Sequence, residues 1–412
     1  MMNNTLSESD ARSARQELRS RKISAFLFVA PLLAFLAFTF VAPIATMLFR
    51  GVHHPVVAEL IPDTLSMLES WDGIAQPENE ILNQFSVDLK RLAAERKSGK
   101  IAEEINRLFP GFGSVIKSSA RLVRNVEEEE LRTNGYKLLI EKDKRWGEPV
   151  TWRAFRSAGQ VYTDSYFLTA LDLERSSEGE IQGRDGPQIY IQLYTKTLRI
   201  ALIITVLCVL LGYPLSYFLA TIRPSTANFL MVFVLLPFWT SLLVRTTSWI
   251  ALLQTNGVVN STLLAMGITS EPLELLYKEF STILAMTHIL LPFMILPLYS
   301  VMKGIDPSFL RAALSMGAKP IPAFLRIYLP MTLPGLSAGS LLVFIISVGY
   351  YITPALVGGT DGQMISNIIA FHMQQSNNWE LAAALGSLLL AIILFLYWLY
   401  DRFVGAGNIK LG

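Results

Sequence analysis

The 412-residue sequence predicts an all-α polytopic membrane protein: a bundle of six transmembrane helices with a mainly helical external insert between the first and second. Three observations carry that prediction. Hydrophobic residues make up 52% of the chain and charged residues only 17%, against about 25% charged in an average soluble domain. Apolar stretches recur at 23–49, 191–222, 228–253, 280–302, 329–352 and 381–401, each long enough for a hydrocarbon core that needs about 20 helical residues. Charge is also segregated: residues 52–189 hold 23 acids and 18 bases, leaving 10 acids and 17 bases for the rest. A net charge of +2 hides that contrast. The basic excess flanks apolar segments, which is a topological signal and gives no reason to expect a nucleic-acid partner.

The chain begins with a polar tail, residues 1–22, whose Arg12, Arg15, Arg19, Arg21 and Lys22 place it in the cytoplasm. Residues 23–49 form the first span. A cleaved signal peptide would have an apolar core of about 7 to 15 residues, much shorter than this one, so an uncleaved anchor is expected. Pro31 and Pro43 are tolerable there because neighbouring helices can satisfy the freed backbone groups.

Residues 50–189 read as an external, periplasmic insert. Ile81, Phe85, Leu89 and Leu92, then Ile101, Ile105 and Leu108, recur at three and four residues, which defines two amphipathic helices. A further helical stretch is expected over 115–143. Its acidic run Glu127–Glu130 is read as a solvated face rather than a cation site. Trp146, Trp152, Phe155, Tyr162, Tyr166 and Phe167 supply apolar area for a small core. Gly179, Gly183, Gly186 and Pro187 make a flexible return to the membrane.

Residues 190–405 form a five-helix core, and 406–412 a short cytoplasmic tail. With an even number of spans, both termini lie in the cytoplasm. The loops 254–279 and 353–380 then face outward, and they contain one base, Lys278, against five acids.

The loop at 303–330 is the most informative segment. Arg311, Lys319 and Arg326 mark it as cytoplasmic. A helix-compatible run, 309–316, meets Gly317, and Pro320 and Pro322 follow, which predicts a helix, a sharp corner and a second short helix entering the next span. Such an elbow can be gripped by a partner. The spacing of Ala312, Ala313, Gly317, Ile327, Leu329 and Pro330 resembles the signature loop of ABC-importer permeases, E-A-A-x3-G-x9-I-x-L-P, with Arg311 where that family usually has Glu. The stretches VLLPFWTSLLVRTTSWIALLQTNGVVN (234–260) and GYYITPALVGG (349–359) resemble spermidine/putrescine-type permeases in particular. The resemblance covers the first span and about 190–405, not 52–188.

That resemblance implies a type I ABC importer-like bundle in a bacterial inner membrane, one permease subunit of a polyamine or related small-amine importer. It implies no cofactor on this chain, with ATP and Mg on separate cytoplasmic ATPase subunits that grip the elbow. It also implies a second, different permease chain, an external substrate-binding protein and surrounding lipid as partners. The large insert would lie where a binding protein docks.

Pathway candidates are Trp239, Ser241, Arg245, Tyr350 and Tyr351. A cation inside a span is expensive, about 2.5 to 3.5 kcal/mol on the lenient scale. Ser241, Arg245 and Ser248 share a helical face, which points to a wet cavity or the bundle interior. Arg245 either lines the pathway or snorkels to the outer interface. The aromatic residues either offer ring faces to a cation or anchor the spans. His288 reads as a hydrogen-bonded packing residue, and His53, His54 and His372 have no metal-site spacing. Cys208, the only cysteine, packs within a span. Gly335 with Gly339, and Ala382 with Gly386, permit close helix approach.

No phosphate loop, nucleophile elbow or zinc helix is present, so catalysis has no visible home. The competing class is a self-sufficient secondary transporter or a membrane sensor with an external ligand domain. The first would show repeated halves and intramembrane carboxylates, and neither is seen. An ATPase, a second permease and a secreted binding protein encoded nearby would favour the importer.

Overall fold

The protein is described by a computed structural model covering residues 8–175, 180–184 and 186–404. The first seven residues of the expected tail, Gly179, and the C-terminal tail at 406–412 lie outside the described residues. The chain divides into two compact units, Met1–Asp164 and Ser165–Gly412.

The first unit opens with one long helical run: Glu8–Leu36, a π-helical turn Ala37–Val41, and Ala42–Arg50. Its Arg21–Arg50 portion is long and apolar enough to cross a membrane. Two antiparallel strand-like segments then clasp the insert at its neck. Thr163 N–H donates to Val52 O (2.9 Å), and His54 N–H donates to Val161 O (2.8 Å). Between those bonds His53 pairs with Tyr162.

Beyond the neck lies an all-helical core. Ile81, Phe85, Leu89 and Leu92 line the buried face of the Asn79–Ala94 helix, and Ile101 and Ile105 that of Ser98–Leu108. Leu108, expected inside, is 48% exposed because its helix ends there. Phe85 sits at the centre, with ring centroids 5.0 Å from both Trp146 and Phe155 and 5.4 Å from Trp152. The indole N–H groups are satisfied internally, Trp146 by Ser119 Oγ (3.0 Å) and Trp152 by Trp146 O (2.7 Å), as buried donors must be. Buried Asp88 accepts from the Thr64 hydroxyl (2.6 Å) and from Arg91 (2.9 Å).

Three details of the insert differ from expectation. The stretch 115–143 is two helices, Gly113–Val123 and Glu128–Lys142. Glu127 is extended at the start of the second, and Glu128, Glu129 and Glu130 occupy its first turn, where the helix dipole favours negative charge. All four glutamates are exposed. Tyr162 does not join the core: it is exposed and faces His53 at the neck, with centroids 5.2 Å apart. Tyr166 and Phe167 pack in the second unit, beside Ala170, Tyr190 and Leu381.

In the second unit a short antiparallel pair, Leu173–Arg175 with Ile181–Gly183, lies within the stretch expected to be a flexible return. Asp172 holds it to the following helix. Its backbone is left-handed (φ 56°), and its carboxylate accepts the N–H groups of Ile189 (3.1 Å), Tyr190 (3.1 Å) and Ile191 (2.8 Å). These are donors the helix start leaves unpaired. Asp172→Ala is expected to weaken that helix start by about 1 to 2 kcal/mol, read as hydrogen exchange about 5- to 30-fold faster at 189–191.

The apolar helices of this unit are Tyr190–Thr221, Glu279–Gly304, the run Pro320–Gly349, and Trp379–Val404. Gly335 and Gly339 let the third lie against the second: a Cβ at Gly335 would come within 2.9 Å of Pro297 O, and one at Gly339 within 2.9 Å of Met294 Sδ. Ala382 is fully buried. The apolar stretch 228–253 is not one helix. It breaks between Pro224–Trp239 and Leu242–Leu253, and the pair, taken to Ala265, is bent by 97°. Pro237 lies in the last turn before the break, Thr240 is extended, and Ser241 Oγ accepts Val244 N–H (3.2 Å), starting a new helix. Among the described residues, five helices are therefore long and apolar enough to span a membrane, or six if the bent pair counts as one span.

Candidate functional site

The elbow is built from Ser308–Ser315, a corner at Gly317, Pro320–Ala323 and a π-helical turn Phe324–Tyr328 that continues into Leu329–Gly349. At the corner Gly317 has φ +89°, a conformation that suits only glycine at low cost. Its N–H donates to Leu314 O (3.0 Å), and Ala318 N–H donates to Ala313 O (3.1 Å). This is the paired helix-end bonding that a left-handed residue makes possible. At the other end of Ser308–Ser315, Asp306 accepts Ser308 N–H (2.8 Å). That backbone bond, helped by the Ser308 side chain and by Arg311, holds the Asp306 carboxyl below the usual carboxylate range. The cap is intact above that range and is lost only as pH falls through the lowered value.

Ala313 and Ala323 are buried inside the bend, whereas Arg311, Ala312, Gly317, Lys319, Arg326 and Pro330 are exposed. Ile327 and Leu329 are half-buried. The tip presents Met316 (82% exposed) and Ile321 (73% exposed). An aromatic clamp that the sequence reading missed fixes the base of the elbow. Phe324 stacks on Tyr328 (5.5 Å), and Tyr217 meets both edge-on at 5.6 and 5.3 Å. Tyr213 reaches Thr332 by a hydroxyl bond (3.0 Å). Tyr213 and Tyr217 are one turn apart on the Tyr190–Thr221 helix, a spacing that marks one face. Their partners lie more than 100 residues away, so nothing local announced them.

Among the pathway candidates, Arg245 is half-buried and its Nε is enclosed without a hydrogen-bond partner among the described residues. His288 accepts from Trp249 Nε1 at Nδ1 (3.3 Å). Ser241 and Ser248, on the same face by spacing, are exposed, and Ser241 serves as a helix cap. Tyr350 and Tyr351 lie at the break between Leu329–Gly349 and Ile352–Val357, where their carbonyls accept from Ser366 Oγ (2.8 Å) and Asn367 Nδ2 (2.7 Å). Trp239 stands apart: it is 71% exposed, and its side chain makes no hydrogen bond or ring contact among the described residues.

Several membrane-crossing helices, a glycine-cornered elbow between two of them and a broken span together define a membrane transport subunit. Residues 212–405 match the family described as binding-protein-dependent transport system inner membrane component. The chain is 36% identical over 213 residues to the spermidine/putrescine transport system permease protein PotB of Haemophilus influenzae, covering 51% of this chain and 74% of that protein. It is 33% identical over 217 residues to PotB of Escherichia coli, covering 52% and 79%. A bacterial ABC transporter involved in the import of the acidic polysaccharide alginate superposes with a TM-score of 0.42 at 20% identity, over 53% of this chain and 80% of that one. The chain belongs to the inner-membrane permease family of binding-protein-dependent ABC importers.

Proposed function

We propose that this permease carries spermidine, putrescine or a related small amine into the cytoplasm, driven by ATPase subunits that grip the 311–330 elbow. The observation that carries the reading is the elbow itself. Its family spacing coincides with a left-handed glycine corner, an apolar tip and an aromatic base, so a force on Met316 or Ile321 is delivered to two helices at once. ATP and Mg belong to the ATPase subunits. Their closure would rock the elbow and switch the pathway from inward- to outward-facing, a rigid-body change between two packed states. Arg311, Lys319 and Arg326 orient the elbow, and with it both termini, toward the cytoplasm. The identity to the PotB proteins supports an amine as solute. A second, different permease chain completes the pathway.

ATP hydrolysis by the complex reconstituted in lipid with its genomic neighbours tests this reading. Stimulation by binding protein loaded with one polyamine names the solute, and no stimulation by any amine in a panel overturns the amine assignment.

The insert is proposed to receive the binding protein on the outer side. Because its ends meet at residues 52–54 and 161–163, residues 56–159 can be replaced by a short linker. The expected result is at least a tenfold loss of binding-protein stimulation in a complex that still assembles. Unchanged stimulation would remove the insert from the docking account.

A further inference from the structure

We propose that the loop 70–78 of the insert is the contact that docks the external binding protein. Ile74 is an apolar knob that enters a socket on that partner, and the acids flanking it meet a basic rim. The proposal rests on the docking reading of the insert above and goes beyond it by naming the surface and the chemistry of what fits it.

Ile74 is 78% exposed, more than any other large hydrophobic side chain among the described residues of 52–164. A single exposed apolar side chain is ordinary in itself, but this one is held out on a fixed backbone. Asp72 Oδ1 accepts Ile74 N–H (2.9 Å), Gly73 turns at φ +79°, and Trp71 Nε1 donates to Ala75 O (3.0 Å). From the helix Pro149–Ala158, Arg153 donates to Gly73 O (3.0 Å) and Arg156 to Trp71 O (2.9 Å), with the Arg156 guanidinium 5.5 Å from the Trp71 ring centroid. A Cβ at Gly73 would come within 2.9 Å of Arg156 Nη2. Ordering an exposed loop costs conformational entropy, and Ile74 returns nothing to the core. A partner that meets a loop already ordered avoids that cost at the moment of contact. The surface continues onto the arginine-bearing helix: Val150, 41% exposed, is one turn before Arg153 on the same face.

Charge selects the occupant. Residues 51–89 contain seven acids and no lysine or arginine, and Glu69, Asp72, Glu78 and Glu80, which flank the knob in sequence, are all exposed. The two bases that reach the loop, Arg153 and Arg156, are turned to its carbonyls. An anionic lipid surface is repelled by such a rim, and so is the same surface on a second copy of the chain. A soluble protein with lysine or arginine around a small apolar socket fits both features. Opposite charges across the rim speed and orient encounter, while the buried apolar contact at the centre sets how long the partners stay together.

The test uses the whole importer in nanodiscs and its purified, fluorescently labelled binding protein. Ile74→Ser is expected to raise the dissociation constant at least tenfold, with basal ATP hydrolysis and the rate of proteolysis within 52–164 unchanged, and Ile74→Val to bind as the parent does. Raising salt from about 50 to about 300 mM is expected to slow association at least threefold, and Glu69→Gln with Glu78→Gln and Glu80→Gln to remove most of that dependence. Equal affinity of Ile74→Ser and the parent would overturn the knob, and an association rate indifferent to salt would overturn the basic rim. A benzophenone on Ile74→Cys, with Cys208→Ser so that the label has one site, is expected to capture the binding protein. Capture of lipid, of a second permease or of nothing would overturn the assignment. Replacement of 56–159 by a linker separates the two levels: binding lost there but complete in Ile74→Ser sinks only this surface, while complete binding in both sinks the docking reading beneath it.

Discussion

Gly317→Pro is expected to lower binding-protein-stimulated ATP hydrolysis by the assembled importer at least tenfold. Proline fixes φ near −65° and has no N–H, whereas the corner requires φ +89° and a bond from this N–H to Leu314 O. The elbow helix must then end differently, and Met316 and Ile321 leave their present positions. Gly317→Ala provides a graded comparison. A Cβ there meets nothing within 4 Å, so only the left-handed penalty of about 1 to 2 kcal/mol remains, and a partial loss is expected. Co-purification of the ATPase subunit reports assembly separately from turnover. Full stimulation in Gly317→Pro would mean that this corner does not couple hydrolysis to the spans.

The largest effect on stability is expected from Trp146→Ala. The indole is fully buried, with ring centroids 4.8 Å from Phe112, 5.0 Å from Phe85, 5.9 Å from Trp152 and 6.0 Å from Phe155. Its removal costs about 3 to 5 kcal/mol and leaves Ser119 Oγ without its indole donor. A domain has about 5 to 15 kcal/mol in all, so the insert becomes marginal. Proteolysis of intact protein should cut within 52–164 about a hundredfold to several thousandfold faster at about 1.4 kcal/mol per factor of ten, with Trp146→Phe intermediate. An unchanged rate would contradict the aromatic core.

How far the sequence could be read depended on the range of each interaction. Glycine and proline act through their own backbone, so the corner at 317 was visible from Gly317, Pro320 and Pro322 alone. Amphipathic spacing located Ile81 to Leu92 for the same reason. The clamp of Tyr217 on Phe324 and Tyr328, and the cap from Asp172 to residues 189–191, join positions that no local pattern connects. Composition also misled at 228–253. That stretch is apolar on average and long enough for one span, and the break comes from three modest signals in succession: Pro237, the extended Thr240 and the Ser241 cap. Aromatic content indicated that a core exists near 146–167 but could not assign Tyr166 and Phe167 to the second unit.

The clasp between residues 52–54 and 161–163 has a consequence at the level of genes. A domain that is entered and left through two adjacent hydrogen-bonded segments adds almost nothing to the distance between its two ends. Its coding sequence could be acquired or lost in one recombination event, with the reading frame as the main constraint. Chromosomes carrying this permease with and without the interval for about 55–160 would then be expected side by side, with crossover points clustered at the two codons nearest His53 and Tyr162.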